Sequence, residues 1–315
     1  MSNDETSDAA LVATDILAAG LGADAILQRV KLPTLGSTDC EIITCHTPDG
    51  SLRKLFCKFG PLAEAVQPTH CFGVAYEAQV YDQLLSAWQD DVPRLHGALL
   101  DETTQTVGLA LGYLDGATPL HQVPQPKAGL LSAARWIAGF HHWSETAAVP
   151  SFLHRYDTEF YRVWMQRAGH FTRHLHELYP WLPELCERCQ RHLPAMLPPA
   201  TIIHGEYRAN NILDVHGHNM ATDWESAVLA AGEIDLASLT WDWDDNMASL
   251  CEQEYCLARW PDGTPDDFAL RLAAARVFLH LRQLGDSEEE DGAEERIAEV
   301  EELLPLAERL RDLEK

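Results

Sequence analysis

The strongest constraint on how this chain folds is a change of pattern near residue 112. Before that point, short apolar segments of strand length dominate. Ala25–Lys31, Cys40–His46 and Leu52–Phe59 suit strands. Thr47-Pro48-Asp49-Gly50 reads as a turn, because proline presets the bend and glycine permits positive φ. Cys40–Phe59 is therefore expected to be a hairpin. Val74–Trp88 has helical apolar spacing, and Leu95–Leu100 and Thr106–Tyr113 read as two further strands. Ala9–Ala19 suits a short helix. After residue 112 the segments lengthen: Ala128–Ser144, Asp157–Glu177, Trp181–Met196 and several stretches beyond Leu236 read as helices. Ala200–Asp223 interrupts them with short strands and loops. The expectation is an α+β, bilobal chain, with a small strand-rich lobe over 1–112 and a larger helical lobe over 113–315. A ligand is expected in the crevice between the lobes. With 315 residues, 46% of them apolar, there is enough material for two packed lobes.

Charge narrows the partners. A formal net charge of −26 argues against nucleic acid, whose phosphates want a basic surface. It would attract a cationic substrate, and it would equally serve solubility. Both readings stay open. The start, MSNDETSDAA, is acidic where an export signal needs a basic region and an apolar run. No segment approaches the ~20 apolar residues that span a bilayer. A cytoplasmic protein without a membrane partner is expected. The eight cysteines read as free thiols. Cys186, Cys189 and His192 have helical spacing, and no second pair completes a four-ligand zinc set. Asp286–Asp291, DSEEED, reads as a solvated loop before a final charged helix. His176-Glu177 begins like a zinc-protease motif, but Pro180 ends the match. No nucleophile elbow or dinucleotide fingerprint occurs, which disfavours acyl transfer and hydride chemistry.

The segment that carries chemistry is Ile203–Asp223, IHGEYRANNILDVHGHNMATD, followed by Trp224-Glu225. His204, Glu206 and Asn211 fall on a polar loop between two apolar stubs. A hairpin through Asn219–Thr222 would return Asp223 to the side of Asn211. One amide oxygen and one carboxylate are hard ligands that suit Mg²⁺. Glu206 is then free to orient a hydroxyl and take its proton. Phosphoryl transfer asks for little more than positioning, metal-borne charge neutralisation and an oriented nucleophile.

Three blocks in order, His204-Gly205-Glu206 with Asn211, Thr222-Asp223-Trp224-Glu225 and Ile234-Asp235-Leu236-Ala237, resemble the aminoglycoside phosphotransferase/choline kinase-like superfamily. That superfamily has a protein kinase-like fold. The resemblance runs from about Gly36 to Trp241. It implies a small-molecule kinase that moves the γ-phosphate of ATP, or GTP, to a hydroxyl acceptor such as an aminoglycoside or amino alcohol. By the same resemblance Asn211 and Asp223 bind magnesium, Asp235 braces the catalytic loop, and His204 and His141 are structural. Arg208 falls where a phosphate-reaching side chain stands, or is a surface residue. Glu206 stands where the family usually has aspartate. The extra methylene adds ~1.5 Å of reach, and misplacement near 1 Å can cost about a hundredfold in rate. Two readings follow: an active enzyme with Glu206 as base, or a kinase-shaped binding or regulatory protein without turnover.

The resemblance also asks for a strand lysine fixed by a helix glutamate. Lys58, in the apolar run Leu55–Phe59, and Glu77, in an E-A-x-x-Y block ending at Tyr81, are the candidates. The competing reading of Lys58 is an edge-strand residue that snorkels into water, with Lys54 as the fallback. Gly36, Ser37 and Thr38 are placed to offer backbone N–H groups to phosphates. Gly112, Tyr113 and Leu114, at the lobe connection, are expected to hold the base of the nucleotide. Trp164, Tyr179 and Trp181 read as core, with stacking on a substrate the alternative.

Overall fold

The computed structural model describes residues 25–32, 38–46, 50–62, 69–88, 91–286 and 293–315. The expected helix at Ala9–Ala19, most of the turn at Thr47–Gly50, Gly36 and Ser37, and all but the first residue of Asp286–Asp291 lie outside them. By its internal contacts the chain forms two compact units. The first comprises the described residues of Met1–Pro124 together with Asn210–Ser226, and the second Gln125–Ala209 with the described residues of Ala227–Lys315. Element content alone puts a boundary at 112/113. The contact division instead sets Asn210–Ser226 beside the strands, for reasons visible in its hydrogen bonds.

The first unit is built on a five-stranded antiparallel sheet of order β1-β2-β3-β5-β4. Its strands are β1 (Ala25–Lys31), β2 (Asp39–His46), β3 (Leu52–Pro61), β4 (Leu95–Asp101) and β5 (Thr106–Gly112). Alternation sorts the side chains of β3. Leu55, Cys57 and Phe59 join Ile43, Cys45 and Ala110 in a core on one face. Phe56 and Lys58 point to the other face, where Cys40 lies opposite Lys58 and Ile42 opposite Phe56. Gly60 shares the face of Lys58, and a Cβ there would meet Val74 Cγ2 at 2.9 Å. The bare glycine lets helix α1 (Val74–Val80) start directly on the sheet. Glu77 follows one turn later. The helix runs on through a π-helical turn (Tyr81–Leu85) and a last α-turn (Ser86–Trp88), so the expected helix over Val74–Trp88 is interrupted just past Glu77.

Asn210–Ser226 supplies β8 (Ile212–Val215) and β9 (His218–Ala221), which with β6 (Thr118–Pro119) form a three-stranded sheet in the order β6-β8-β9. β7 (Thr201–Ile203) precedes these two in the chain and belongs to the second unit. The β8–β9 loop is His216-Gly217, both with positive φ (55° and 89°), the two-residue hairpin turn whose twist matches the strands. Pairing of Ile212 with Ala221 places Asn211 opposite Thr222, whose N–H and Oγ1–H both donate to the Asn211 carbonyl at 2.9 and 3.1 Å.

The second unit is helical: α2 (Lys127–Ser144), α3 (Thr158–Phe171), α4 (Trp181–Met196), α5 (Glu233–Leu239), α6 (Asp245–Arg259), α7 (Phe268–Asp286) and α8 (Ala293–Leu313). A two-stranded pair, β7 with β10 (Val228–Ala230), lies among them. α4 holds Cys186 and Cys189 on a buried face, and burial pushes the Cys186 thiol up to about 12. Trp164 is core, as expected, with none of its surface exposed. No helix among the described residues is long and apolar enough to cross a membrane.

Candidate active site

In the first unit, Lys58 Nζ donates to Glu77 Oε2 at 2.7 Å and to Asp223 Oδ1 at 2.5 Å. Glu77 is wholly buried, Lys58 is 9% exposed, and the Asp223 side chain is 37% exposed. The other Glu77 oxygen accepts the Trp224 N–H at 3.2 Å. One carboxylate on α1 thus fixes both the strand lysine and the backbone next to Asp223. Burial alone would lower the Lys58 ammonium, but Glu77 and Asp223 overrule it and hold the group above its ordinary range. Burial raises the Glu77 carboxyl despite the lysine. Lys58 is therefore not a snorkelling edge residue. Lys54, the fallback, is exposed, pairs with Asp115 at 2.8 Å and lies over the Tyr113 ring.

Asp223 has φ 68°, a left-handed conformation that aspartate tolerates better than most residues. It lines a cavity of about 510 Å³ in the first unit with Lys58, Asn211, Thr38, Gly112, Tyr113 and Leu114. Seven of the residues singled out in the sequence meet there. The apolar walls, Leu32, Ile42, Phe56, Leu111 and Leu213, and the polar Asn210 were not singled out in the sequence, and Thr222 and Glu225 stood in a motif block without a role of their own. Period-two alternation on β2 and β3 marks Cys40, Ile42 and Phe56 as sharing the face of Lys58. The Tyr113 N–H is taken by the Lys54 carbonyl at 3.3 Å and the Gly112 N–H by the Arg94 carbonyl at 2.8 Å.

The second unit holds the loop with Glu206. Asp235, fully buried on α5, accepts the N–H groups of His204 and Gly205 at 2.7 and 2.9 Å. His141 Nε2–H also donates to Asp235, at 3.1 Å. This assigns Nδ1 as the acceptor of the Tyr255 hydroxyl at 2.9 Å, and Arg259 donates to that hydroxyl in turn. Burial pushes the His141 imidazole down to about 4, so it stays neutral in this chain of donors. Gly232 makes room for the arrangement, since a Cβ there would collide with Arg259, His141 and Tyr255.

Gly205 has φ 85°, and the Glu206 N–H donates to His204 Nδ1 at 3.3 Å. The Glu206 carboxylate lies 3.7 Å from the guanidinium of Arg282, a buried α7 residue that sequence reasoning did not single out. A signal for it exists: Arg282 is a charge among the apolar residues Val277, Phe278, Leu279, Leu281 and Leu284. Arg208 packs over the Trp241 ring at 4.7 Å and reaches Gln283 Oε1 at 3.5 Å. Burial and then Arg282 hold its guanidinium below the ordinary value.

The phosphotransferase enzyme family (APH) matches residues 46–261. No curated protein matches the sequence. Three solved structures are similar in fold. The choline kinase of Cryptosporidium parvum Iowa II has a TM-score of 0.62 at 14% identity, over 91% of this chain and 90% of that one. A microcompartment-associated aminopropanol kinase has 0.61 at 14%, over 96% and 98%. The ADP-bound aminoglycoside phosphotransferase APH(2'')-Ib has 0.54 at 12%, over 91% and 95%. At such identities the likeness shows the fold, a protein kinase-like α+β fold with a strand-rich N-terminal part and a helical C-terminal part.

Proposed function

The chain belongs to the phosphotransferase enzyme family, and from that premise we propose that it transfers the γ-phosphoryl group of ATP, or GTP, to a hydroxyl of a small molecule. The observation that carries this reading is the Lys58–Glu77–Asp223 arrangement on the wall of the 510 Å³ cavity, with Asn211 beside it. The apolar strand residues and the 112–114 segment suit a nucleotide base, as the ADP-bound relative suggests. Lys58, held charged by two carboxylates, would bind phosphate oxygens. Thr38, on the same wall, would offer its backbone N–H to the same phosphates.

The donor set at Asn211 and Asp223 fits magnesium: one carboxamide oxygen and one part-exposed carboxylate, both hard ligands on a cavity wall. A bound magnesium ion would neutralise charge on the phosphates. Glu206 would orient the acceptor hydroxyl and take its proton as the oxygen bonds to phosphorus and the bond to the nucleoside diphosphate breaks. Asp235, through the His204 and Gly205 N–H groups, would keep that loop in place. Arg208, stacked on Trp241, would act on the loop more than on the phosphate. The acceptor class is an amino alcohol or aminoglycoside, in keeping with the relatives and the net charge of −26.

A catalytically silent nucleotide-binding protein is the second reading, favoured by one observation: Glu206 in the aspartate position. The two are separated by incubating the protein with γ-labelled ATP, magnesium and a panel of amino alcohols, aminoglycosides and sugars. The first reading expects magnesium-dependent label transfer that falls at least ~10²-fold in Glu206→Gln. Nucleotide binding without transfer to any acceptor would establish the second.

A further inference from the structure

Gly205 is gripped from both sides. Its N–H is held by the Asp235 carboxylate, and its carbonyl accepts from Arg282 Nη1 at 3.4 Å. The other end of the same guanidinium, Nη2, lies 3.7 Å from Glu206 Oε1. Arg282 is 3% exposed and sits on α7, a helix whose neighbouring positions Leu281, Leu284 and Leu279 are core. An arginine so placed carries a desolvation cost that a leucine would not, and its guanidinium faces one particular carboxylate and one particular carbonyl. Both contacts are long for hydrogen bonds, so the guanidinium acts on the two oxygens mainly through its charge. The planar fork of arginine suits two acceptors held side by side, which a lysine point charge would not match.

We propose that Arg282 is a positioning residue for Glu206: its guanidinium clamps the Gly205 carbonyl and the Glu206 carboxylate together and sets the reach of a base one methylene longer than aspartate. This rests on the reading of Glu206 as the base. A glutamate has one more rotatable bond than an aspartate at the same backbone position. With the Arg282 guanidinium removed, its carboxylate is expected to sample more rotamers, of which few meet the acceptor proton. Arg282 selects among them. The arginine and the longer acid therefore function as a matched pair, and the effect of removing one depends on the presence of the other.

The test is a double-mutant cycle on the rate of ADP release from MgATP, with water and a panel of amino alcohols as acceptors, and with the thermal midpoint of each variant recorded. Arg282→Met is expected to lower kcat by on the order of 10- to 100-fold with the KM for ATP unchanged. Arg282→Lys, which keeps the charge but not the fork, is expected to recover part of that loss. In a Glu206→Asp background, where the carboxylate falls short of the guanidinium, Arg282→Met is expected to change kcat by less than about threefold. Equal losses in the two backgrounds, or no recovery in Arg282→Lys, would overturn the proposal and leave Arg282 a support of the fold. Full turnover in Glu206→Gln would instead overturn the base assignment on which it rests.

Discussion

Glu77 has no exposed surface, so its carboxylate depends on Lys58 for a counter-charge. Removing one partner of such a pair costs about 3–5 kcal/mol because the other is left buried and bare, whereas replacing both with apolar groups is often close to neutral. Lys58→Met is therefore expected to lower unfolding stability in urea by that amount. Lys58→Met with Glu77→Leu should recover only part of it, because the leucine also removes the acceptor of the buried Trp224 N–H, and the pair should still fail to bind MgATP. Two histidines give a second residue-scale expectation. Burial, reinforced at His280 by Arg208, puts the folded values of both His141 and His280 at about 4. In the unfolded chain they titrate near ~6.5. The unfolded state binds protons first on acidification, so their contribution is complete above that value and is lost as pH falls toward 4. It amounts to on the order of 3 kcal/mol each. His280 stacks on Trp241 at 4.0 Å, and its Nδ1 is buried without a hydrogen-bond partner. His280→Phe should keep the stack and flatten the acid limb of a stability–pH curve, with little change at neutral pH. Lys58 stood out in the sequence as a charge in an apolar strand run, and Asn211 and Asp223 through a polar loop and a hairpin that would bring them together, in blocks that match a family motif. Arg282 did not, because its partner lies 76 residues earlier on a loop whose position no local pattern gives.

At the scale of elements, the β8–β9 hairpin determines how Asn211 and Asp223 stand together. Its turn needs positive φ at His216 and Gly217, and space around Gly217 is open. The cost of a side chain there is conformational, roughly 1–2 kcal/mol. Gly217→Val should lower the thermal midpoint by several degrees. It should also weaken MgATP binding by more than its stability loss explains, as isothermal titration would show. β1 and α4 fall where periodicity puts them. The second hairpin strand lies one residue earlier than expected, His218–Ala221, which the two-residue turn imposes. The expected helix over Asp157–Glu177 ends at Phe171, where the Thr172 hydroxyl bonds back to the Ala168 carbonyl and a short 3₁₀ turn follows. β6 and β10, of two and three residues, were too short for periodicity to reveal.

For the whole molecule, the charge of −26 separates classes of acceptor. Raising the ionic strength from 0.01 to 1 M shortens the screening length from about 30 to about 3 Å. If the field gathers a cationic substrate, kcat/KM for an amino alcohol should fall over that range while that for a neutral sugar should not. Equal salt responses would leave the acidity with solubility alone. The division into strand-rich and helical parts was legible from segment length. The membership of Asn210–Ser226 was not, because it depends on non-local bonds: β6 to β8, and Glu77 to the Trp224 N–H. The central claim is that Lys58, Glu77, Asn211 and Asp223 form a nucleotide–magnesium site, and the thermal midpoint with and without MgATP tests it most directly. A ligand at a hundred times its Kd adds ~2.7 kcal/mol of stability, several degrees in a chain of this size. The account predicts a rise that requires magnesium and is lost in Asp223→Asn, which keeps the shape and the left-handed backbone but not the charge. A chain that melts at the same temperature in millimolar MgATP or MgGTP, or an Asp223→Asn variant that still responds fully, would contradict it.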